Sequence, residues 1–217
     1  MPEPATMVLV SSGLLGIALK SVQRGYARLK PTADAAVSLV ALVALSPVML
    51  ACAAAVRATS RGPVFYAQWR VGRHGRLFRI FKFRTMRVGA ERTTGPVWAN
   101  GDRDPRLTPI GGWLRRHHLD ELPQLLNVLR GEMSLVGPRP ERPVFVDRFS
   151  ETWAAYRRRL QVRPGVTGLA QVRRGADHCL DDVRRKLALD LLYVKRMCWL
   201  LDSRIIVRTA AKVFRPG

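Results

Sequence analysis

The strongest hydropathy signal in the chain is an apolar stretch close to the N-terminus. Residues 35–56 read AAVSLVALVALSPVMLACAAAV, which is 22 residues without a charged side chain. At about 1.5 Å per residue, a straight helix of this length matches a hydrocarbon core of about 30 Å. Buried helices of soluble proteins rarely run so far without a polar face. The pattern therefore predicts a helix embedded in a membrane.

Ser46 and Pro47 interrupt this stretch near its middle. Pro47 has no amide hydrogen and its ring clashes with the preceding turn, so we expect a kink there. The Ser46 hydroxyl could bond to a carbonyl group that the proline leaves free. We therefore predict a break in the membrane helix at these two residues.

Positive charge flanks both ends of the apolar stretch. Three basic residues precede it and two follow it: Arg24, Arg28, Lys30, Arg57 and Arg61. Because basic residues favour the cytoplasmic side, we expect both flanks there, as in a re-entrant helix that dips into the membrane and returns. A single membrane span kinked at the proline is the alternative.

The remainder of the chain predicts a mainly helical domain with a small β element. Apolar residues on both sides of the Gly72–Gly75 turn predict a β-hairpin. Helical patterns cover residues 110–130, broken by Pro123, and residues 180–213 as one helix or two. We predict an α+β, mainly helical fold. It comprises an N-terminal leader (1–29), a membrane-embedded re-entrant helix (30–60) and a cytoplasmic domain (61–217).

Residues 150–162 have the spacing of an amphipathic helix. Trp153, Tyr156 and Leu160 fall on one side, and residues 157–159, all arginines, fall on the other. Such a helix can lie at the interface of an anionic membrane. It can equally pack on the protein core with its arginines in solvent, and the sequence favours neither interpretation.

Composition adds a strong basic bias. The chain has 37 Lys and Arg against 16 Asp and Glu, for a formal net charge of +21. Most of these bases are arginines, whose guanidinium groups suit bidentate phosphate contacts. The bias indicates an anionic partner, which could be nucleic acid, anionic lipid or a phosphorylated substrate.

An adjacent Asp120 and Glu121 form the most informative chemical pattern. Arg115 precedes them, and Arg139 follows in a Gly-Pro-Arg-Pro segment whose prolines would fix the backbone. Carboxylates beside arginines suggest a site for Mg²⁺ and phosphate, and a carboxylate can also attack phosphorus directly. By itself, an Asp-Glu pair before an apolar stretch is more often a helix start.

Several longer stretches carry a family resemblance. In order they are GPVFYAQWRVGRHGRLFRIFKFRTM (62–86), DPRLTPIGGWLRRHHLDELPQLLNVLRGEMSLVGPRPE (104–141), RPGVTGLAQV (163–172), LDLLYV (189–194) and LDSRIIVRT (201–209). Together they resemble the bacterial sugar transferase family, the monotopic polyprenyl-phosphate hexose-1-phosphate transferases or phosphoglycosyl transferases. The chain resembles the compact form of this family, which implies that residues 61–217 are a catalytic domain.

The resemblance implies a reaction at the cytoplasmic face of the bacterial inner membrane. Asp120 would attack the β-phosphate of a UDP-sugar, releasing UMP and leaving a phosphosugar-aspartyl intermediate. A polyprenyl phosphate would then accept the sugar-1-phosphate, as the first membrane step of glycoconjugate synthesis of the exopolysaccharide, capsule or O-antigen type. Glu121 would be associated with Mg²⁺.

The resemblance also assigns binding residues. Lys82, Arg115 and Arg139 match basic residues of the phosphate site, and Asp190 matches a carboxylate near it. Arg84 shares a strand face with Lys82 and joins this set. The implied partners are a UDP-sugar, a polyprenyl phosphate and anionic membrane lipid, with a homodimer as one candidate assembly.

Two other function classes compete with the enzyme. A nucleic-acid-binding protein explains the net charge, but no recognised binding motif is present and the apolar stretch is left unexplained. A non-catalytic basic membrane scaffold explains the charge and the apolar stretch, but not the Asp120–Glu121 pair within so long a motif. We therefore expect the enzyme, and no nucleic-acid partner.

Overall fold

The protein is described here from a computed structural model that covers residues 4–92, Gly95, 104–173 and 180–214, with side chains from Gln23 to Lys212 within those ranges. Its helices are α1 (Pro4–Thr59), α2 (Gly111–Arg116), α3 (Gln124–Leu129), α4 (Pro143–Thr152), α5 (Leu169–Arg173), α6 (Leu180–Arg196) and α7 (Trp199–Phe214). Its strands are β1 (Phe65–Val71), β2 (Leu77–Phe83), β3 (Ser134–Val136) and β4 (Gly165–Thr167). The fold is mainly helical with two small sheets, in agreement with the α+β prediction.

Helix α1 contains the predicted membrane segment and is far longer than that segment. It is one continuous helix of 56 residues, with Pro31 and Pro47 inside it. It therefore continues across the boundary predicted between residues 29 and 30. Gln23–Thr59 is long and apolar enough to cross a membrane, and only 11% of its most apolar window is buried against the protein. Exposed Val40, Val43 and Leu50 line this part of the helix. These apolar side chains form the surface that a lipid environment would cover.

Helix α1 continues through Ser46 and Pro47, so the break predicted at these residues is wrong, but the hydrogen bond predicted for Ser46 is present. Pro47 has no amide hydrogen for the carbonyl of Val43, four residues earlier. The Ser46 hydroxyl donates to that same Val43 carbonyl at 2.8 Å. The serine therefore satisfies the carbonyl that the proline leaves free.

A buried polar cluster joins α1 to the rest of the protein just before the apolar stretch. The Lys30 ammonium lies 2.5 Å from the Asp202 carboxylate of α7 and 3.3 Å from that of Asp34. The Tyr26 hydroxyl also donates to Asp202, and the Ser134 hydroxyl donates to Asp34 at 2.6 Å. Separating these elements would leave buried charges unpaired, which costs free energy. The contacts therefore hold α1 against both β3 and α7.

The far end of α1 packs against the hairpin. Cys52 and Val56 form an apolar cluster with Phe83 of β2 and Leu114 of α2. Both flanks of the apolar stretch therefore contact the domain formed by residues 61–214.

The predicted β-hairpin is confirmed. Strands β1 and β2 pair antiparallel with Phe65 opposite Phe83 and Val71 opposite Leu77. Phe78 and Ile80 of β2 pack on Val128 of α3 and on Met133. This packing places the end of β2, with Lys82, beside the segment that follows α2.

Residues 110–130 are helical and broken, as Pro123 predicts. Helix α2 is followed by a single 3₁₀ turn at Leu119–Glu121, and Pro123 then caps α3. His118 enters the turn with a left-handed backbone, φ = 54°, a conformation that non-glycine residues seldom adopt. The sharp reversal sets Asp120 and Glu121 on a turn between two short helices.

The second sheet consists of the parallel strands β3 and β4. Gly137 and Gly165 lie in close contact at its end, where a Cβ on Gly165 would fall 2.1 Å from the Gly137 nitrogen. Only glycine permits this approach, which carries the chain directly from β3 into the Gly-Pro-Arg-Pro segment.

The prediction of one amphipathic helix over residues 150–162 is wrong in two respects: the segment is not one continuous helix, and one of the three arginines predicted to lie opposite the apolar side is buried. Helix α4 ends at Thr152, and a 3₁₀ helix covers Tyr156–Gln161. Arg157 and Arg158 are exposed, but Arg159 is buried. The tighter 3₁₀ turn differs in period from an α-helix, so it rotates Arg159 to the side that the pattern assigns to the core.

Candidate active site

A cavity of about 770 Å³ opens between the hairpin and the 3₁₀ turn at Leu119–Glu121. Its walls come from β1, β2, the loop after β2, that turn and the segment around Arg139. Asp120, Glu121, Lys82, Arg115 and Arg139 all line it. Arg84 lines it as well, so the structure brings six of the predicted site residues, from three separate segments of the sequence, into one concave site.

Glu121 is held by two cations. Its Oε1 atom lies 2.6 Å from the Lys82 ammonium and 2.8 Å from Nη2 of Arg139. Its Oε2 atom has a longer contact of 3.5 Å with Nη1 of Arg139. Burial raises the pKa of Glu121, but Arg139 and Lys82 outweigh it and hold the pKa well below its usual range. Glu121 is therefore ionised throughout the physiological pH range.

Asp120 has a different environment although it is the next residue. It is 6% exposed, and no hydrogen bond from the described part of the chain reaches its carboxylate. Burial raises the pKa of Asp120 above its ordinary value, Lys82 opposes this, and the charge of Glu121 adds to it. The surroundings thus push the pKa values of the two adjacent carboxyl groups apart, a pattern typical of groups with different chemical roles.

Glu121 raises the pKa of both Lys82 and Arg139, but the net pKa shifts of the two cations are opposite. Burial lowers the pKa of Lys82, and Glu121 counteracts this. Glu121 raises the pKa of Arg139, whose side chain is still 42% exposed toward the cavity. Arg139 is therefore anchored at one edge of its guanidinium group and accessible at the other, which suits bidentate contact with a phosphate.

Arg115 is fixed by the hairpin side of the cavity. Its Nε atom donates to the Thr85 hydroxyl at 2.9 Å, which leaves its terminal nitrogens for another partner. Its charge also acts to lower the pKa of Asp120. Arg115 therefore lies near the pair of carboxylates Asp120 and Glu121, called the dyad below, as the sequence predicts.

Two predicted phosphate ligands have other partners. Arg84 lines the cavity, but its guanidinium donates to the Ser60 carbonyl at 2.8 Å and the Arg61 carbonyl at 2.9 Å, so it binds the end of α1. Asp190 is buried on α6, 2.6 Å from Nη2 of Arg159. The assignment of Asp190 as a phosphate ligand is corrected by this ion pair, because a buried, paired carboxylate has no contact to offer a phosphate.

Sequence reasoning missed an ion pair on the outer wall of the cavity. Arg142 binds Glu91 through both guanidinium nitrogens, at 2.8 and 3.0 Å. Arg142 follows the Gly-Pro-Arg-Pro segment directly, which is the only sequence signal for it. Glu91 lies in a loop about 50 positions earlier, and no local pattern pairs the two.

The carboxylates of the cavity fit a Mg²⁺ ion whose ligands come partly from the protein and partly from a bound phosphate. Within the described ranges, no group of three or more His, Cys, Asp or Glu side chains is placed to hold a metal with protein ligands alone. Mg²⁺ commonly takes one or two carboxylates and completes its shell with substrate phosphates and water. Asp120 and the Oε2 atom of Glu121 are the donors available for that arrangement.

Several bacterial proteins are similar in sequence to this chain over most of its length. A UDP-N-acetylgalactosamine-undecaprenyl-phosphate N-acetylgalactosaminephosphotransferase of Aeromonas hydrophila is 43% identical over 184 residues, which cover 85% of this chain and 43% of the relative. A UDP-glucose:undecaprenyl-phosphate glucose-1-phosphate transferase of Xanthomonas campestris pv. campestris is 44% identical over 186 residues, covering 85% and 38%. This chain therefore spans less than half the length of these two relatives.

A further relative is close to this chain in length. The exopolysaccharide production protein PSS of Rhizobium leguminosarum bv. phaseoli is 40% identical over 194 residues, which cover 87% of this chain and 96% of the relative. The sequence model of the bacterial sugar transferase family matches residues 25–216, which include α1 from Gly25 onward and all the residues that line the cavity. The chain belongs to the bacterial sugar transferase family.

Proposed function

We propose that this chain transfers a sugar-1-phosphate from a UDP-sugar to a membrane polyprenyl phosphate and releases UMP. One observation carries the proposal: the Asp120 carboxylate, without a described hydrogen-bond partner, lines a cavity of about 770 Å³ together with Lys82, Arg115 and Arg139. A carboxylate among cations can approach an anionic diphosphate that would otherwise repel it. The names of the relatives, which act on UDP-sugars and undecaprenyl phosphate, support the same reaction.

The first step forms a bond between Asp120 and phosphorus. A carboxylate oxygen of Asp120 attacks the β-phosphorus, and the bond from that phosphorus to the bridging oxygen breaks, so that UMP leaves with the bridging oxygen. Lys82 and Arg139 stabilise charge that moves onto the phosphoryl and leaving oxygens. The phosphosugar remains on Asp120 as an acyl phosphate.

The second step regenerates the free carboxylate of Asp120. A phosphate oxygen of the polyprenyl phosphate attacks the same phosphorus, the acyl-phosphate bond breaks, and Asp120 is released as a carboxylate. The product is a polyprenyl diphosphate sugar. UMP leaves this phosphorus in the first step, and the polyprenyl phosphate attacks it in the second. Because both steps place an anionic phosphate group beside it, Lys82 and Arg139 serve both.

Mg²⁺ belongs to this proposal, with Glu121 as its protein ligand. When bound, the ion would neutralise negative charge on the diphosphate. Arg139 and Lys82 keep Glu121 ionised, which preserves its ability to bind a cation.

We also infer that the apolar part of α1 is re-entrant, with the domain on the cytoplasmic face of the inner membrane. The contacts at the two flanks support this. Lys30 binds Asp202 at one end, and Arg84 binds the Ser60 carbonyl at the other. Contacts from a single domain to both ends of the apolar stretch favour placing both ends on one face of the bilayer. The basic surface of that domain would then rest on anionic lipid.

The reaction is tested with the detergent-purified full chain, Mg²⁺, polyprenyl phosphate and a panel of UDP-sugars that includes UDP-glucose and UDP-N-acetylgalactosamine. We expect UMP release with at least one donor. Asp120→Asn should lower it by about 10³-fold or more, since the amide is a poor nucleophile. Without the acceptor, the wild-type chain should gain the mass of one phosphosugar and the variant should not.

Asp147→Asn is the matched control, because Asp147 on α4 has a side chain that is 66% exposed and far from the dyad in sequence. It should release UMP at the wild-type rate. Normal turnover by Asp120→Asn would refute the nucleophile, and inactivity with every UDP-sugar would refute the reaction.

A further inference from the structure

The Gly-Pro-Arg-Pro segment that carries Arg139 has few amide donors of its own. Gly137 donates its N–H to the Thr167 carbonyl at 2.9 Å. Pro138 and Pro140 have no backbone N–H, so on both sides of Arg139 the backbone is anchored mainly through its carbonyl groups. This matters because the Arg139 guanidinium must meet a phosphate at a defined place.

The four consecutive carbonyls of residues 138–141 each accept a hydrogen bond from a residue that is distant in sequence. The donors are Gly165 N to Pro138 O at 2.9 Å, Arg159 Nη2 to Arg139 O at 2.9 Å, Arg70 Nη1 to Pro140 O at 3.2 Å and Val71 N to Glu141 O at 2.9 Å. Two of the four donors are guanidinium groups. The backbone of Arg139 itself is held by a side chain, Arg159.

Arg159 is placed for this contact by Asp190. Its Nε and Nη2 atoms bind one carboxylate oxygen of Asp190 at 2.9 and 2.6 Å, and Nη1 donates to the Tyr156 hydroxyl at 3.1 Å. The side chains of Arg159 and Asp190 are 6% and 4% exposed. Burial lowers the pKa of Arg159, but Asp190 outweighs it and raises the pKa, so the guanidinium stays charged.

A buried ion pair is an expensive way to hold a fold together, because both charges lose their hydration. Arg159 uses the contact to fix one particular backbone carbonyl, that of the arginine which binds Glu121 and is open to the cavity. A small displacement of a charged group in a phosphoryl-transfer site reduces the rate greatly.

We propose that Arg159, held by Asp190, is a positioning residue for phosphate binding and transfer: it fixes the Arg139 carbonyl and thereby aims the Arg139 guanidinium into the cavity. This rests on the proposed function for its kinetic consequence. Its effect on anion binding is independent of turnover. Arg159 and Asp190 themselves touch neither the dyad nor Lys82 among the described contacts.

The central test is a double-mutant cycle between positions 159 and 139. Arg159→Lys keeps the charge, but a single ammonium cannot reproduce the planar group that binds Asp190 and the Arg139 carbonyl together. We expect it to lower kcat/KM for UMP release by about 10- to 100-fold. In an Arg139→Gln background the same change should have less than about a twofold effect, because the group that it positions is already absent.

Binding gives a second readout that needs no catalysis. Arg159→Lys should weaken the binding of UMP and of inorganic pyrophosphate, measured by calorimetry, while leaving uridine binding unchanged. Arg158→Lys is the matched control, since Arg158 is the exposed neighbour in the same 3₁₀ helix. If Arg159→Lys fails to fold, Asp190→Asn takes its place in both measurements.

The outcomes separate the two proposals. Equal losses in both backgrounds of the cycle, or equal loss of uridine and UMP binding, would mean that Arg159 only stabilises the fold and would overturn the positioning role. If the wild-type chain released no UMP but bound pyrophosphate in an Arg159-dependent manner, the proposed reaction would fail and the positioning role would stand.

Discussion

At the residue scale, the site depends on two neighbouring carboxyl groups with unlike surroundings. Glu121 is bound by Lys82 and Arg139, whereas Asp120 is buried without a described hydrogen-bond donor. A carboxylate that already accepts strong hydrogen bonds is a weaker nucleophile than one that does not. The difference in contacts therefore assigns attack to Asp120 and charge neutralisation to Glu121.

This difference predicts the pH dependence of the reaction. Burial raises the pKa of Asp120 above the ordinary aspartate value of about 3.9. Because protonation removes the nucleophile, kcat/KM for UMP release should fall as the pH decreases through that raised pKa. Lys82 acts to lower this pKa, so Lys82→Gln should move the acidic limb to higher pH.

The measurement is a pH profile of UMP release, with the exposed Lys195→Gln as the control. An acidic limb at or below the ordinary aspartate value would contradict the assignment. So would a limb that moves to lower pH in Lys82→Gln.

At the scale of elements, local patterns predict what local forces determine. The hairpin follows from alternating apolar residues around Gly72, and the break before α3 follows from Pro123. The course of residues 150–162 could not be predicted, because the burial of Arg159 depends on Asp190, a partner 31 positions away. Arg84 is a similar case, since the Ser60 carbonyl that it binds is 24 positions earlier.

The candidate site divides in the same way. Four residues could be identified because they lie in one long motif over residues 104–141: Arg115, Asp120, Glu121 and Arg139. Lys82 could be identified because the stretch over residues 62–86 resembles the family. The roles of Arg84 and Asp190 could not be separated from phosphate binding by sequence, since a buried ion pair and a ligand contact use the same side chains. Packing between segments that are distant in sequence decides whether such a side chain binds another residue or a ligand.

The hydrogen bond of Ser46 gives a prediction for α1. Ser46→Ala leaves the Val43 carbonyl without its donor in an apolar environment, which should lower the stability of the protein by about 1 kcal/mol. Adding Pro47→Ala restores the backbone N–H that this carbonyl lacks. The double variant should therefore melt at a higher temperature than Ser46→Ala alone in detergent or bicelles. If Pro47→Ala gave no recovery, the serine would not be replacing the missing amide.

At the scale of the whole molecule, the net charge of +21 and α1 serve the same arrangement. The helix provides an apolar surface for lipid, and the domain that holds both of its flanks carries most of the basic residues. On the proposed re-entrant course, the helix would keep that basic domain on the face where anionic headgroups attract it.

This arrangement predicts the labelling of single cysteines in intact cells. In a background with the native cysteines replaced by alanine, Arg28→Cys and Arg57→Cys should both be shielded from a membrane-impermeant thiol reagent and both become reactive after the cells are opened. These positions are exposed and lie on opposite sides of the apolar stretch. Labelling of only one of them in intact cells would show a true span.

The two attachments of α1, at Lys30 and at Arg84, have a kinetic consequence. On the proposed re-entrant course, they would fix the depth of Asp120 relative to the headgroup layer, and a lipid acceptor would reach the carboxylate by lateral diffusion within one leaflet. Encounter then becomes a two-dimensional process. Turnover should follow the mole fraction of polyprenyl phosphate in the membrane, and adding inert phospholipid at constant total acceptor should slow the reaction by surface dilution.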